Sequence, residues 1–205
     1  MHNLLETFHF VPLSNELLNS SHLFDCGHPD LNDFFRTNSH AYSKQLLGKS
    51  YCFTSEENPA KIICAFTISN DSIKVSELPN SRKKLLIRHI PHLKHMRNYP
   101  AVLIGRLGVD REFQGHNIGG QLLDFIKAWF IDEHNKTGCR FIIVDAYNET
   151  AVLSYYLKNQ FQFLFSTANQ EKTFFDIDTH SEISTRLMFF DLLYLTTNKS
   201  ADTII

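Results

Sequence analysis

The sequence predicts an α/β chain of the α+β kind, a central mixed and mostly antiparallel sheet of about six to seven strands flanked by helices. Three observations carry that prediction. Val102–Val109, the polar turn from Asp110 to Gly120 and the apolar periodicity from Gly119 onward read as strand, glycine-rich turn and helix, and Arg140–Ala146 (RFIIVDA) follows as a buried-type strand. Ser50–Ser55 and Lys61–Asn70 are strand-like runs joined at Glu56-Glu57-Asn58-Pro59, the pattern of an antiparallel hairpin. Further strand-like runs stand at Phe8–Leu13, Phe161–Ser166 and Ser184–Leu193, the last two separated by a polar loop.

With 205 residues, the chain suits one domain, placed at residues 1–195, with 196–205 as a frayed tail. A hydrophobic share of 43% and a charged share of 20% are those of a soluble globular protein. Eighteen phenylalanines point to a core rich in aromatic packing. No apolar run reaches the length of a membrane span, and MHNLLETFHF lacks the charged start and apolar centre of a signal peptide. The four cysteines, Cys26, Cys52, Cys64 and Cys139, form no C-x-x-C pair, which favours reduced thiols in a cytoplasm over a disulfide frame or a zinc site.

Near the N-terminus, Gly27 and Pro29 make a turn and Asp30 is placed to cap. Leu31, Phe34, Phe35 and Ala41 then recur at helical spacing to about Leu47. Residues 82–97 (RKKLLIRHIPHLKHMR) hold six Lys or Arg and no acid, so with the whole chain at −2 the remainder sums to −8 (−2 minus 6). Two readings of this segment stand: a solvated amphipathic helix interrupted near Pro91, or a patch that meets phosphate. His89, His92 and His95 recur every three residues, but Pro91 breaks the register that would bring them together, and no metal site is expected.

Strand, glycine-rich turn and helix in that order set backbone N–H groups at a helix N-terminus, which suits phosphate. The dinucleotide fingerprint and the P-loop are both missing. What stands instead is Gln114-Gly115-His116-Asn117-Ile118-Gly119-Gly120, preceded by Leu107-Gly108-Val109-Asp110. This segment resembles the coenzyme A loop of the GNAT N-acetyltransferase superfamily, Gln/Arg-x-x-Gly-x-Gly/Ala after a strand. Asn117 stands where the first signature glycine is usual, and Asn is the other residue that tolerates positive φ. Asn148 to Phe161 (NETAVLSYYLKNQF) resembles the second GNAT signature, with Asn148, Ala151, Tyr156 and Phe161 in place and Gln160 replacing the turn glycine. Phe24–Phe35, with its F-x-C-G-x-x-x-L-x-x-F wording, is similar to one GNAT branch that includes toxins acetylating the amino group of aminoacyl-tRNA.

The resemblance implies a GNAT-type domain and acetyl-CoA as co-substrate. The coenzyme would lie on Leu107, Gly108, Val109, Gln114, Gly115, His116, Asn117, Ile118, Gly119 and Gly120, with Asn148 on the coenzyme arm. Asn148 has a second reading, as the start of the following helix. Tyr156 occupies the position of the acid that protonates the departing thiolate, a task suited to a phenol of pKa near 10 beside a thiol of pKa near 8.5. Its other reading is an aromatic core residue. The strand Val102–Val109 holds no glutamate to act as base, and Glu77, Asp110 and Asp145 are the nearby carboxylates. Arg106 on this strand has two readings: it orients an anionic or RNA acceptor, or it pairs with an acid. No cysteine sits in a His/Asp constellation, and direct transfer needs no covalent step.

The expected activity is acetyl transfer to a primary amine, with the α-amino group of aminoacyl-tRNA as the finer expectation. The alternatives are a small amine or peptide as acceptor, or a coenzyme-binding sensor or subunit without turnover. The protein partners implied by the resemblance are a second copy of the chain and an antitoxin; no membrane partner is expected.

Overall fold

The structure is a computed structural model that describes residues 4–90 and 96–199. Its strands are β1 (Phe8–Pro12), β2 (Lys49–Ser55), β3 (Ile62–Lys74), β4 (Asn98–Val109), β5 (Phe141–Tyr147), β6 (Gln162–Phe163) and β7 (Thr185–Asp191). They join in one sheet in the order β1-β2-β3-β4-β5-β7-β6. The helices are α1 (Leu4–Thr7), α2 (Asn15–Ser20), α3 (Pro29–Asp33), α4 (Ser39–Lys44), α5 (Asn80–Ile87), α6 (Ile118–Ile131), α7 (Thr150–Lys158), α8 (Ala168–Phe174) and α9 (Leu193–Lys199), with a π-helical turn at Phe34–Asn38. The α/β class and the mixed seven-stranded sheet expected from the sequence are those observed. Two compact units make up the chain, Met1–Ser69 with Ile104–Trp129 and Asn70–Leu103 with Phe130–Ile205, and β3 and β4 contribute residues to both.

In the first unit the predicted hairpin is β2 against β3, antiparallel, with Tyr51 opposite Phe66 and a register shift between Phe53 and Thr54. β1 pairs with β2 through Phe10 opposite Phe53. Because side chains alternate along a strand, Phe10, Tyr51, Phe53 and Phe66 share one face. Phe125 and Trp129 of α6 pack against them, at 4.8 and 5.2 Å between ring centroids from Phe10. The other face holds Cys52, Ile62 and Ala65 with Phe35, and Leu17, Leu18, Leu31 and Phe34 close over them. Leu122, Leu123 and Ile126 are fully buried, in keeping with the apolar periodicity, and Lys127 is buried too, its Nζ 3.1 Å from Asp124. α2, unforeseen from the sequence, starts at Ser14, whose hydroxyl accepts the Leu17 N–H.

The second unit is built on β5–β7–β6, both pairings antiparallel, with Val144 opposite Met188 and Gln162 opposite Phe189. Its core combines Phe141, Ile143 and Phe189 with Ile73, Leu86, Tyr99 and Phe165. The predicted polar loop after β6 instead carries α8. Thr167 caps it by accepting the Gln170 N–H, and Gln170 returns a bond from the Ser166 N–H. The buried Glu171 of α8 ties it to β7 through Arg186, at 2.6 Å, and the Leu187 N–H. Burial raises the Glu171 carboxyl above its ordinary pKa despite Arg186.

The basic segment is divided by the fold. α5 sends Leu86 into the core, and Arg82 donates to the carbonyls of Leu164 and Phe163, so Arg82 is a bracket and not a phosphate ligand. Lys83 reaches the Ser76 carbonyl at 3.4 Å, while Lys84 and Arg88 are exposed. Pro91, His92, Lys94 and His95 lie outside the described residues. Of the segment expected to fray, Thr196–Lys199 continue α9, and 200–205 lie outside the described residues.

Candidate active site

The first GNAT-like signature lies wholly in the first unit. At the end of β4, Asp110 is 3% exposed and holds three groups. It takes Lys61 Nζ at 3.1 Å and the backbone N–H groups of Glu112 and Asp25 at 3.1 and 3.3 Å. Its own N–H donates to the Ile63 carbonyl at 2.9 Å. A carboxylate with this many partners is an anchor for the strand end and not a free base. Gln114 spans the same corner, its Nε2 donating to the carbonyls of Val109 and Cys26, both at 2.9 Å.

The Phe24–Leu31 stretch packs on this corner. A Cβ built on Gly108 would lie 3.0 Å from Cys26 Cβ and 3.4 Å from Phe24 Cζ, so only glycine admits the stretch so close to β4. Cys26 is fixed by Asn32 Oδ1, which accepts from its N–H at 2.9 Å and its Sγ at 3.1 Å. Arg111 completes the contact through Asp25, at 3.3 Å. The cysteine in this motif is thus a packing residue, and burial raises its thiol above the ordinary value. Burial likewise pushes Cys52 up to about 12 and Cys139 up to about 11, and raises Cys64, so none of the four is poised as a nucleophile.

The loop itself has the form expected from its residues. Gly115 takes φ +80°, with no atom within 4 Å of a Cβ built there, and Asn117 takes φ +59°. The Gln121 N–H bonds to the Asn117 carbonyl at 3.1 Å, and Ile118, Gly119 and Gly120 open α6. A Cβ on Gly120 would lie 2.5 Å from Asn117 Oδ1, so glycine there lets the Asn117 side chain keep its place. Gln114, Gly115, His116 and Asn117 are exposed, and Leu107 and Val109 are half-buried. A turn of this shape at a helix start suits a pyrophosphate.

The second signature lies in the second unit. Tyr156 on α7 is 8% exposed, its ring 5.4 Å from Phe161 and 5.0 Å from Tyr155. α7 ends with the Phe161 N–H bonded to the Tyr156 carbonyl at 3.0 Å and the Gln160 N–H to Leu157 at 2.9 Å, a Schellman motif. Gln160 takes φ +67° at its left-handed position, so the turn survives without the expected glycine. The hydrophobic contact that accompanies such a motif is the Phe161–Tyr156 pair, which fixes the tyrosine ring. Burial raises the Tyr156 hydroxyl above the ordinary phenol pKa, so the group stays protonated throughout the neutral range.

Asn148 is exposed and stands two residues before α7. Its N–H donates to Ser184 at 2.8 Å and its Nδ2 to Ile183 at 3.0 Å, so it ties the end of β5 to the start of β7. That role was not legible from its position in a motif. Asp145 is exposed on β5, and Glu77 is exposed in a short 3-10 turn.

A strand that ends in a glycine-shaped loop, the helix it opens and a sheet in this order are what the resemblance to GNAT domains implies. No family model matches the chain. In sequence it is similar to a tRNA-acetylating toxin of Mycobacterium tuberculosis, 26% identical over 128 residues, which are 62% of this chain and 70% of that protein. In structure it is similar to AtaT complexed with acetyl-methionyl-tRNAfMet, with a TM-score of 0.68 and 20% identity over 94% of this chain and 99% of that one. A tyrosine-to-phenylalanine variant of KacT gives 0.67 at 19% identity, over 94% and 99%. AtaTR bound with AcCoA gives 0.64 at 18% identity, over 95% and 99%. The resemblance to the GNAT branch of tRNA-acetylating toxins therefore holds in sequence and in fold.

Proposed function

We propose that the chain is an acetyl-CoA-dependent N-acetyltransferase that acts on the α-amino group of aminoacyl-tRNA. The observation that carries this reading is the loop at the end of β4, where Gly115 and Asn117 take positive φ just ahead of α6, a turn shape that suits a pyrophosphate. Its relatives supply the acceptor: the similar curated protein is a tRNA-acetylating toxin, and AtaT is complexed with acetyl-methionyl-tRNAfMet. The reading takes residues 1–195 as one catalytic domain in the cytoplasm, where charged tRNA and acetyl-CoA meet. An antitoxin is its natural protein partner, since KacT's neighbour structure is a KacTA–DNA complex and AtaT binds the C-terminus of AtaR.

Acetyl-CoA supplies an activated acyl group. Leu107, Gly108 and Val109 align the coenzyme arm along β4, and Gln114 to Gly120 hold its pyrophosphate. Asn148 offers its Oδ1 to the arm, since its Nδ2 is committed to Ile183. The neutral amine attacks the thioester carbonyl, forming the C–N bond as the C–S bond breaks. Tyr156 gives its hydroxyl proton to the departing sulfur, the nitrogen loses its surplus proton to solvent, and the tyrosine regains one from solvent, so no net proton is consumed. The α-amino group of an ester is a weak base, so a good share of it is neutral between about pH 7 and pH 8 and it needs little help from a carboxylate. Asp110 is committed to Lys61 and two backbone amides, which leaves no anchored base on this strand end.

The test is release of free thiol from acetyl-CoA with amino acids, polyamines, peptides and charged tRNA offered in turn. The expected result is turnover with charged tRNA. Turnover with small amines alone would overturn the acceptor, and coenzyme binding without any thiol release would make the chain a sensor.

A further inference from the structure

β4 carries a guanidinium that the fold does not neutralise. Among the described arginines, Arg36 pairs with Asp33, Arg111 with Asp25, Arg140 with Asp191 and Arg186 with Glu171. Arg82 is bonded to two carbonyls, and Arg88 and Arg97 are exposed to solvent. Arg106 is half-buried and joins no ion pair among the described residues. Its Cζ lies 5.0 Å from the centroid of the Phe34 ring, and its Nη1 donates to the Gly105 carbonyl at 2.7 Å. Its Nε is buried with no hydrogen-bond partner. A stacked guanidinium with an unused N–H is already ordered for an anion.

The stacking partner is unusual as well. Phe34 opens the π-helical turn Phe34–Asn38, and its carbonyl takes the Ser39 N–H five residues on. Single π turns within helices are rare and are found mostly at functional sites. Here the turn sets an aromatic ring under Arg106, a half-buried arginine without an acid among the described residues.

Distance along the strand separates this guanidinium from the anions of the coenzyme. Arg106 stands three residues, about 10 Å of extended strand, before Val109, where the pyrophosphate loop begins, and the coenzyme arm between them is uncharged. Its Nη1 is bonded to the carbonyl of Gly105. The anion belongs to the acceptor. A free amino acid would present a carboxylate, but in an aminoacyl ester that carboxylate is consumed, and the nearest anions are backbone phosphates of the terminal nucleotides.

We propose that Arg106, held on Phe34, is a positioning residue that takes a phosphate at the 3′ end of an aminoacyl-tRNA acceptor; this rests on the acceptor reading given above. The test uses the full chain and a short uncharged single-stranded RNA ending in CCA, titrated across salt. Arg106→Gln is expected to weaken binding about tenfold and to reduce the slope of log K against log salt by about 0.7. Arg106→Lys restores the slope, since the charge returns, but not the whole affinity, since the fork is lost. Coenzyme affinity and melting temperature, measured on both variants, report whether the fold is intact. An unchanged slope in Arg106→Gln, identical behaviour of the two variants, or no binding of the RNA by the unaltered chain would overturn the inference. If Arg106-dependent binding is found but charged tRNA is not acetylated, the proposed function fails and the phosphate anchor stands.

Discussion

The two GNAT-like signatures each replace an expected glycine, and the two replacements are not alike. Asn117 takes φ +59° in the loop before α6, and Gln160 takes φ +67° at the end of α7. Asparagine visits the left-handed region readily, whereas a long side chain there costs roughly 1–2 kcal/mol. The loop is also braced by side chains: Asp110, Lys61 and Gln114 fix the strand end, and Asn117 packs against Gly120. The α7 turn is held by two backbone bonds and the Phe161–Tyr156 contact. A position can therefore keep a turn's shape in two ways, through a residue suited to it or through surroundings that hold an unsuited one.

The largest expected effect on stability is on the braced side. Asp110→Ala leaves the partly buried Lys61 with Glu112 alone and removes the acceptor of two amides, and should lower unfolding free energy by about 2 kcal/mol, read by denaturant titration. A loss under 1 kcal/mol would mean the brace is dispensable. On the other side, Tyr156→Phe keeps the Phe161 contact and removes only the hydroxyl. Turnover is expected to fall on the order of 10²-fold, with coenzyme affinity and melting temperature unchanged. An equal loss of stability and turnover would mark Tyr156 as a core residue.

The pH dependence follows from the raised Tyr156 pKa. A phenol with a raised pKa loses its proton only above the ordinary value near 10, so it remains a donor below that pH. The rate should rise as the acceptor amine deprotonates, up to about pH 8, and then stay level to about pH 10. A falling limb below pH 9 that vanishes in Tyr156→Phe would contradict this.

The smallest effects bear on the comparison itself. Gln160→Gly removes a left-handed side chain at the cost of glycine's extra unfolded-state freedom, a net gain of about 0.5–1 kcal/mol. Melting temperature should rise by roughly 2 °C. Asn117→Gly should change stability by only about a few tenths of a kcal/mol. Equal responses at the two positions would remove the distinction between them.

Much of this was legible before any coordinates. Period-two and period-3.6 patterns located β1, the β2–β3 hairpin, β4, α6 and β5, while α7 and the positive φ of Asn117 followed from the resemblance to the GNAT signatures. The short helices α2 and α8 escaped because neither carries enough apolar periodicity to stand out. Their signal was a cap: Ser14 before Leu17, and Thr167 before Gln170. Site features that depend on distant partners were not legible at all. The Asn32–Cys26 bond, the Asp110–Lys61 pair 49 residues apart and the Asn148–Ile183 tie join residues that no local pattern connects. Arg82 looked like part of a basic patch because charge is visible in a sequence and its bonds to Phe163 and Leu164 are not.

The most direct test of the central claim is to incubate the chain with acetyl-CoA and charged tRNA, digest the tRNA with nuclease, and weigh the aminoacyl-adenosine by mass spectrometry. The account predicts one added acetyl group on the α-amino nitrogen, formed by the unaltered chain and strongly reduced with Tyr156→Phe. Aminoacyl-adenosine of unchanged mass, under conditions where calorimetry shows acetyl-CoA bound, would contradict it.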